Sequence, residues 1–296
     1  MGADFFKKEK NMKKNIETPF ASFNEAMDGG FQKGRFSLIT GFTGFGKTAI
    51  ACQLAGEFAS KGHHGLYMTL DEGAAGIIPR LYSNLGGIPY ADIRDGESKF
   101  RITEGEMKRI EILSRLLGRR LIMRGQDDCD VGPIILSKHL SVIVDQVEQQ
   151  YFPLDFVVID FLTAASSGWR SSMGSKLKES MMREMGVFLS DFSKRKDIAV
   201  VATAQTHPYA CHSKYVSPYH TAYSKRLAEA AQFCICMSSI RVPEEDIGLA
   251  GDSEQENIFK KEQNFSMHDG CGRLIKRVPM IRDLKYQRFK EAVGSN

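Results

Sequence analysis

The chain has 296 residues, 42% of them hydrophobic and 26% charged, which is enough to bury the core of one large domain or two small ones. Its formal net charge of +4 is too small by itself to indicate a polyanionic partner, and no apolar stretch reaches transmembrane length. The six cysteines show no paired zinc spacing, so we expect free thiols, as in a cytoplasmic protein. Because no apolar stretch is long enough to cross a membrane, we expect no membrane partner.

Basic residues are concentrated at the two ends of the chain. Five lysines lie within residues 7–14, and a second basic cluster lies within residues 273–290. Such clusters suit phosphate backbones, although a basic run is more often a solvated face. We predict a basic N-terminal tail or linker remnant at residues 1–17, followed by one domain at residues 18–296.

Short apolar runs alternate with helix-forming stretches along the chain. The runs with strand character are residues 36–40, 65–70, 120–123, 154–160, 198–204, 233–237 and 280–289. The stretches with helical character are residues 49–60, 74–85, 104–117, 134–149 and 176–194. This alternation predicts an α/β fold, in which a mostly parallel central sheet is flanked by helices.

The glycine-rich segment at residues 41–48 lies between the first predicted strand and the first predicted helix. It reads Gly-Phe-Thr-Gly-Phe-Gly-Lys-Thr, the pattern of a P-loop. Glycines allow backbone N–H groups to turn inward around an anion, and the positive end of the helix dipole adds to the attraction. Lys47 would reach the β- and γ-phosphates, and the hydroxyl of Thr48 would bind Mg²⁺. We expect a nucleoside triphosphate and Mg²⁺ to be bound here by Gly41, Thr43, Gly44, Phe45, Gly46, Lys47, Thr48 and Ala49.

Two predicted strands end in carboxylates, at the edge where parallel α/β sheets gather their functional residues. Asp71 and Glu72 follow the strand at residues 65–70, and one of them is expected to act as the catalytic base. Asp160 ends the strand at residues 154–160, as in the Walker B pattern. We expect its carboxylate to join the Thr48 hydroxyl in the Mg²⁺ shell.

A polar residue and a long loop follow the strand at residues 198–204. The amide of Gln205 can contact the γ-phosphate or the attacking water. Residues 206–223 are polar and aromatic, and loops of this length are usually functional or disordered. The tyrosines of this loop and Lys214 suit stacking on bases and pairing with phosphates. Its three histidines lack the spacing of a zinc site, so we interpret them as loop residues.

The order and spacing of these motifs resemble the RecA-like motor domain of DnaB-type hexameric replicative helicases, over about residues 17–294. Besides the P-loop, the resemblance is carried by residues 67–81, 87–117, 156–164, 200–205, 226–233 and 285–294. It implies a RecA-like P-loop NTPase that hydrolyses ATP at subunit interfaces, translocates on single-stranded DNA and unwinds duplex during replication. It also implies a homo-hexameric ring, with a primase or a helicase loader as a further partner.

The resemblance also assigns residues outside the P-loop. Arg288, together with Lys285, would act as an arginine finger in the ATP site of the neighbouring subunit. These two residues are separated by one residue more than the family's pair, so Arg288 is the favoured finger. The residues that would contact DNA are Trp169, Arg170, Lys176, Lys178, Lys214, Lys225 and Arg226.

Position and residue type disagree about the catalytic base. An ungapped alignment with the family places Asp71 at the position of its catalytic glutamate, whereas Glu72 has the matching residue type and the longer side chain. Neighbouring strand residues point to opposite faces, so both cannot serve. Residue type favours Glu72 slightly, and both remain candidates.

Two other functions remain open. A RecA/RadA-type recombinase ATPase shares the core but forms filaments, and the helicase-like segment at residues 87–117 argues against it. A regulatory RecA-like protein that uses ATP as an assembly switch is compatible with the unusual pair of Asp71 and Glu72. Since the family's N-terminal domain has no counterpart here, we expect a helicase-only protein, as a phage or mobile element encodes, or an excised domain. Such a protein would act at the nucleoid or in the cytoplasm of an infected host.

Overall fold

The computed structural model describes residues 15–71, 73–94, 102–125, 133–162, 175–213, 215–222, 225–239 and 260–292. Its strands are β1 (Asn15–Ile16), β2 (Phe31–Gln32), β3 (Phe36–Gly41), β4 (Gly65–Thr69), β5 (Leu121–Arg124), β6 (Phe156–Asp160), β7 (Ala199–Gln205), β8 (Phe233–Ser239), β9 (Lys260–Asp269), β10 (Leu274–Asp283) and β11 (Arg288–Glu291). Its helices are α1 (Ala21–Ala26), α2 (Lys47–Ser60), α3 (Ala74–Gly86), α4 (Tyr90–Arg94), α5 (Glu104–Gly118), α6 (Pro133–Gln150), α7 (Ser175–Lys196) and α8 (Lys225–Glu229). Among the described helices, none combines the length and the apolar composition that crossing a membrane requires.

A nine-stranded sheet forms the centre of the fold, in the order β11-β10-β9-β8-β3-β7-β6-β4-β5. β3 is parallel to both β7 and β8, β6 is parallel to β4 and β7, and β5 is parallel to β4. β9, β10 and β11 extend the sheet with antiparallel pairs beside β8. The prediction of a mostly parallel α/β sheet is therefore confirmed. Because β3, β4, β6 and β7 are parallel, their carboxyl ends meet at one edge.

Helices cover both faces of the sheet, which explains why the parallel strands read as continuous apolar runs. In β6, Val157 and Ile159 pack on the face covered by α6 and α7, whereas Phe156 and Val158 pack on the face covered by α2. This alternation follows from the two-residue period of a strand. α2 is buried over most of its length. Its packing fixes the position of the glycine-rich loop that precedes it.

The C-terminal segment differs from the prediction of a single strand at residues 280–289. It is a hairpin, in which β10 and β11 pair on either side of a turn at residues 284–287. Gln287 has a positive φ of 50°, the left-handed conformation that reverses the chain. β9 was not predicted at all, because its sequence is largely polar and lacks a strand pattern. It is held as a strand by β8 on one side and β10 on the other.

Two further segments contain more structure than the sequence indicated. The loop predicted at residues 206–223 includes the short 3-10 helices Pro208–His212 and Pro218–His220, and a bridge between Thr206 and Thr221 joins its ends. Near the N-terminus, β1 pairs with β2 and the side chain of Ile16 is buried. The packed structure thus includes residues that belong to the predicted tail at 1–17.

Candidate functional site

The glycine-rich loop lies at the carboxyl end of β3, the strand in the middle of the sheet. Gly44 and Gly46 have φ angles of 83° and 93°, in the left-handed region that favours glycine. Gly46 precedes the first residue of α2, and a Cβ atom there would lie 2.8 Å from the guanidinium of Arg282 and 2.9 Å from the ring of Phe289. Backbone conformation and lack of space both require glycine at this position.

Lys47 is the first residue of α2, and its side chain is almost entirely buried. Its Nζ donates a hydrogen bond to the backbone oxygen of Phe42 at 3.2 Å and lies 5.6 Å from the ring centroid of Phe161. Burial lowers the pKa of Lys47 to about 8, although the carboxylates of Asp160 and Asp71 oppose this shift. A buried ammonium group of this kind is stabilised by an anionic ligand, as expected of a phosphate-binding lysine.

Asp160 lies at the end of β6 and is only 2% exposed. Its Oδ1 accepts a hydrogen bond from the Thr203 hydroxyl at 2.7 Å, and its Oδ2 accepts one from the Tyr67 hydroxyl at 3.0 Å. The Thr48 side chain is a third hydrogen-bond partner. Burial raises the pKa of Asp160, while the hydrogen bonds from these three hydroxyls oppose the shift. The fold therefore positions one carboxylate rigidly beside the loop.

The oxygen atoms of Thr48 and Asp160 form a donor set that fits Mg²⁺. This cation prefers hard oxygen ligands, and it usually takes one or two protein ligands together with water and substrate phosphates. Within the described residues, no group of three or more His, Cys, Asp or Glu side chains could hold a metal ion. One carboxylate and one hydroxyl beside a phosphate-binding loop suit a metal that is shared with its substrate.

The ends of β4 and β7 bring two more of the predicted residues to this edge. Asp71 follows β4 and is close enough to influence the pKa of Lys47. Gln205 ends β7 directly beside Gly41, and the next residue, Thr206, donates its N–H to the Gly41 oxygen at 3.2 Å. The alternative base, Glu72, lies outside the described residues, so the choice between Asp71 and Glu72 stays a prediction.

The predicted finger residues lie on the β10–β11 hairpin. Arg288 begins β11, with its Nε 3.9 Å from a carboxylate oxygen of Asp283 and its guanidinium carbon 4.7 Å from the ring centroid of Tyr286. Lys285 is exposed in the turn, and its backbone oxygen accepts the N–H of Tyr90 at 2.8 Å. These contacts attach the hairpin turn to the start of α4.

Arg282 is a residue of this site that sequence reasoning missed. Its Nη1 donates to the backbone oxygen of Gly44 at 2.5 Å, so a guanidinium group lies on the glycine-rich loop of its own chain. Burial, and then the charge of Arg80, lower the pKa of Arg282 to about 10. Its Nε has no hydrogen-bond partner in the described part of the chain. The available signal was the two-residue period from the buried Val278 and Met280, which puts Arg282 on the face covered by α2.

The residues predicted to contact DNA are described only in part. Lys176 lies in the first turn of α7 and Arg226 lies in α8, and together with Arg183 they line a groove between these helices. Lys178 and Lys225 lie on the same two helices. Trp169, Arg170 and Lys214 lie outside the described residues.

Comparisons with known proteins were made for the sequence and for the fold. The family model for the DnaB-like helicase C-terminal domain matches residues 15–212. No curated protein matches the sequence. A solved structure described as an ATPase domain is similar with a TM-score of 0.71 and 15% identity, over 97% of this chain and 95% of that one. A structure of a DnaB-like replicative helicase, reported with its interactions with primase, gives a TM-score of 0.70 and 14% identity, over 93% of this chain and 63% of that one.

Proposed function

Since the chain belongs to the family of DnaB-like helicase C-terminal domains, we propose that this DnaB-type motor domain hydrolyses ATP, translocates on single-stranded DNA and unwinds duplex during replication. The observation that carries the proposal is the convergence of Lys47, Thr48 and Asp160 at the carboxyl edge of a RecA-like sheet. A cation, a hydroxyl and a carboxylate beside a glycine-rich loop are the groups that ATP bound with Mg²⁺ requires.

Each residue of this edge has a role in the proposed reaction. Lys47 and the backbone of residues 41–49 bind the β- and γ-phosphates, and the oxygens of Thr48 and Asp160 hold Mg²⁺. Held by these two oxygens, Mg²⁺ would neutralise charge that develops on the phosphate oxygens. Either Asp71 or Glu72 accepts a proton from the attacking water. Gln205 senses the γ-phosphate, and the next residue, Thr206, is hydrogen-bonded to Gly41 of the glycine-rich loop.

The second half of the site is proposed to come from a neighbouring copy of the chain. Arg288, assisted by Lys285, would stabilise charge on the transferring phosphoryl group from across a subunit interface in a homo-hexameric ring. Arginine fingers accelerate phosphoryl transfer by about 10³- to 10⁵-fold, so the isolated protomer should be a poor ATPase. Residues 18–296 would form one motor domain behind a basic segment at 1–17. A primase or a loader is a further proposed partner.

Unwinding of forked DNA and DNA-stimulated ATP turnover test this proposal. Lys47→Ala should abolish nucleotide binding and both activities, because the phosphates lose their buried cation. Arg288→Ala should retain nucleotide binding and lose turnover. Lys290→Ala, an exposed residue on the same strand β11, is the matched control and should behave as the wild type. Wild-type turnover in Arg288→Ala would show that the finger assignment is wrong.

The same assays separate the two other functions. A recombinase would exchange strands without unwinding a fork. An assembly switch would change its oligomeric state with ATP but would neither unwind DNA nor show DNA-stimulated turnover. Either outcome in the wild type would replace the helicase proposal while leaving the nucleotide site intact.

A further inference from the structure

Aromatic side chains form an exposed cluster on the loop that follows β7. The rings of His207 and Tyr209 are stacked, with centroids 5.4 Å apart and planes inclined by 11°. The ring of His220 lies 5.7 Å from that of Tyr209. Tyr209 is 62% exposed and Tyr219, beside His220, is 59% exposed. The rings of His207, Tyr209 and His220 are thus in contact, and Tyr219 adds a further exposed ring on the same loop; we call these four residues the aromatic platform.

The loop holds this platform in a fixed conformation. The N–H of His207 donates to the backbone oxygen of His220 at 2.8 Å, and Thr206 pairs with Thr221 at the base of the loop. The N–H of Ser217 donates to Nδ1 of His220 at 3.0 Å, which fixes that ring. Rings that are already ordered lose little conformational entropy when a ligand stacks on them.

A basic groove lies next to the platform. α8 contacts both the short helix Pro218–His220, which carries part of the platform, and α7. Between α7 and α8, the groove is lined by Lys176, Arg183 and Arg226, with Glu179 as the acidic residue among them. Cations that track a phosphate backbone, combined with aromatic rings that accept bases, are the combination by which single-stranded nucleic acids are bound.

The base of the platform loop is hydrogen-bonded to the candidate nucleotide site. Ala222 donates its N–H to the backbone oxygen of Gln205 at 2.7 Å, and Thr206 donates to the oxygen of Gly41 at 3.2 Å. Gly41 is the first residue of the glycine-rich loop, and Gln205 is the proposed γ-phosphate sensor. A ligand on the platform would therefore be connected to the glycine-rich loop and to Gln205 through these two backbone hydrogen bonds.

We propose that Tyr209 and Tyr219 stack on the bases of single-stranded DNA while the cations of the groove between α7 and α8 bind its phosphates. This inference rests on the proposed function and adds a binding mode to it, since it assigns contacts to the bases as well as to the backbone. Every base has a flat face, so the platform binds without regard to sequence. The positive charge of the groove favours an anionic partner over a neutral protein surface. The exposed rings favour a nucleic acid over an acidic protein surface, because only the nucleic acid has bases to stack on them.

Binding of two fluorescent oligonucleotides to the full chain tests the proposal: one of thymidines and one of the same length without bases. Tyr209→Ala should weaken binding of the thymidine oligonucleotide by about 5- to 150-fold, the range of one lost stacking contact. It should leave binding of the abasic oligonucleotide unchanged. Tyr209→Phe should bind as the wild type, because the ring remains. Tyr151→Ala removes an exposed ring from the end of α6, and it is the matched control.

The salt dependence of binding separates the platform from the groove. Arg226→Ala should weaken binding of both oligonucleotides and reduce the slope of log affinity against log salt by about 0.7, the value for one lost phosphate contact on a single strand. Tyr209→Ala and Tyr219→Ala should leave this slope unchanged.

Three outcomes would contradict the proposal, and they are distinguishable. If the wild type binds the thymidine oligonucleotide and both tyrosine variants bind it equally well, the platform is wrong and the proposed function stands. Equal losses on both oligonucleotides would mean that the tyrosines support the loop rather than stack on bases. If the wild type binds neither oligonucleotide, the DNA partner itself is wrong, and the platform with it.

Discussion

The side chain of Gln53 connects the helix of the nucleotide site to the strand that carries the proposed finger. Its Nε2 donates to the backbone oxygen of Phe289 at 2.9 Å, and its Oε1 accepts the N–H of Phe289 at 2.7 Å. Gln53 is 5% exposed and Phe289 is 1% exposed, so water cannot replace these bonds. One amide thus satisfies both backbone groups of a residue at the edge of the sheet.

The change Gln53→Leu should destabilise the fold strongly. Leucine has a similar volume but cannot form either bond, and it leaves the N–H and the oxygen of Phe289 buried without partners. Each unsatisfied buried group costs about 1–3 kcal/mol, so we expect the two groups together to cost about 2–6 kcal/mol. That is a large part of a typical free energy of unfolding of about 5–15 kcal/mol.

Urea denaturation followed by circular dichroism measures this loss. The control is Gln232→Leu, which removes one side-chain bond, from Gln232 to Gln32 at 2.9 Å, at a partly buried site. A single neutral hydrogen bond contributes about 0.5–1.5 kcal/mol, so this variant should lose less. If the loss in Gln53→Leu were no larger than in the control, the reasoning about two unsatisfied buried groups would be refuted.

Two further predictions concern charged residues. Arg282 lies on the glycine-rich loop through its hydrogen bond to Gly44, and we expect its guanidinium to bind a phosphate of ATP there. Arg282→Ala should therefore weaken ATP binding by the isolated chain about ten- to a hundredfold, as expected for one charge-assisted hydrogen bond. An unchanged affinity in titration calorimetry would mean that Arg282 only packs on Gly44. Asp155→Asn should cost about 1 kcal/mol at pH 7, because it breaks the ion pair with Lys33. Burial alone would raise the pKa of Asp155, but Lys33 and the N–H of His64 hold it below its ordinary value of 3.8. The stabilisation is therefore present above pH 3.8 and lost as the pH falls through the lower, folded-state pKa. The difference between the two proteins in urea denaturation should disappear there, and a difference that persisted at low pH would contradict this assignment.

The parts of the site that the sequence indicated are the ones that depend on local position. Asp160 and Gln205 each end an apolar run, and Lys47 ends the glycine-rich loop that follows another. The carboxyl ends of parallel strands meet at one edge whatever the rest of the chain does. The period of the apolar runs was therefore sufficient to bring these residues together.

The parts that the sequence did not indicate depend on distant contacts. The β10–β11 hairpin needs the left-handed Gln287 and the hydrogen bonds from Gln53, which is far away along the chain. Arg282 stood among several basic residues, and only the packing of β10 against α2 separates it from the others. The hydroxyls of Tyr67 and Thr203 that hold Asp160 come from the two strands that flank β6, and the order of the strands was not predicted.

The order of the sheet gives the molecule two unlike halves. β3 has four strands on either side. Asp71, Asp160 and Gln205 lie at or just after the ends of strands on one side, whereas the opposite half carries Arg282 and Arg288. Two copies that join the carboxylate-bearing edge of one to the arginines of the other make a head-to-tail contact, which repeats from subunit to subunit. The rotation at each contact then decides whether the assembly closes or continues as a helix. Ring and filament would thus differ in an angle, and the chemistry at each interface would be the same.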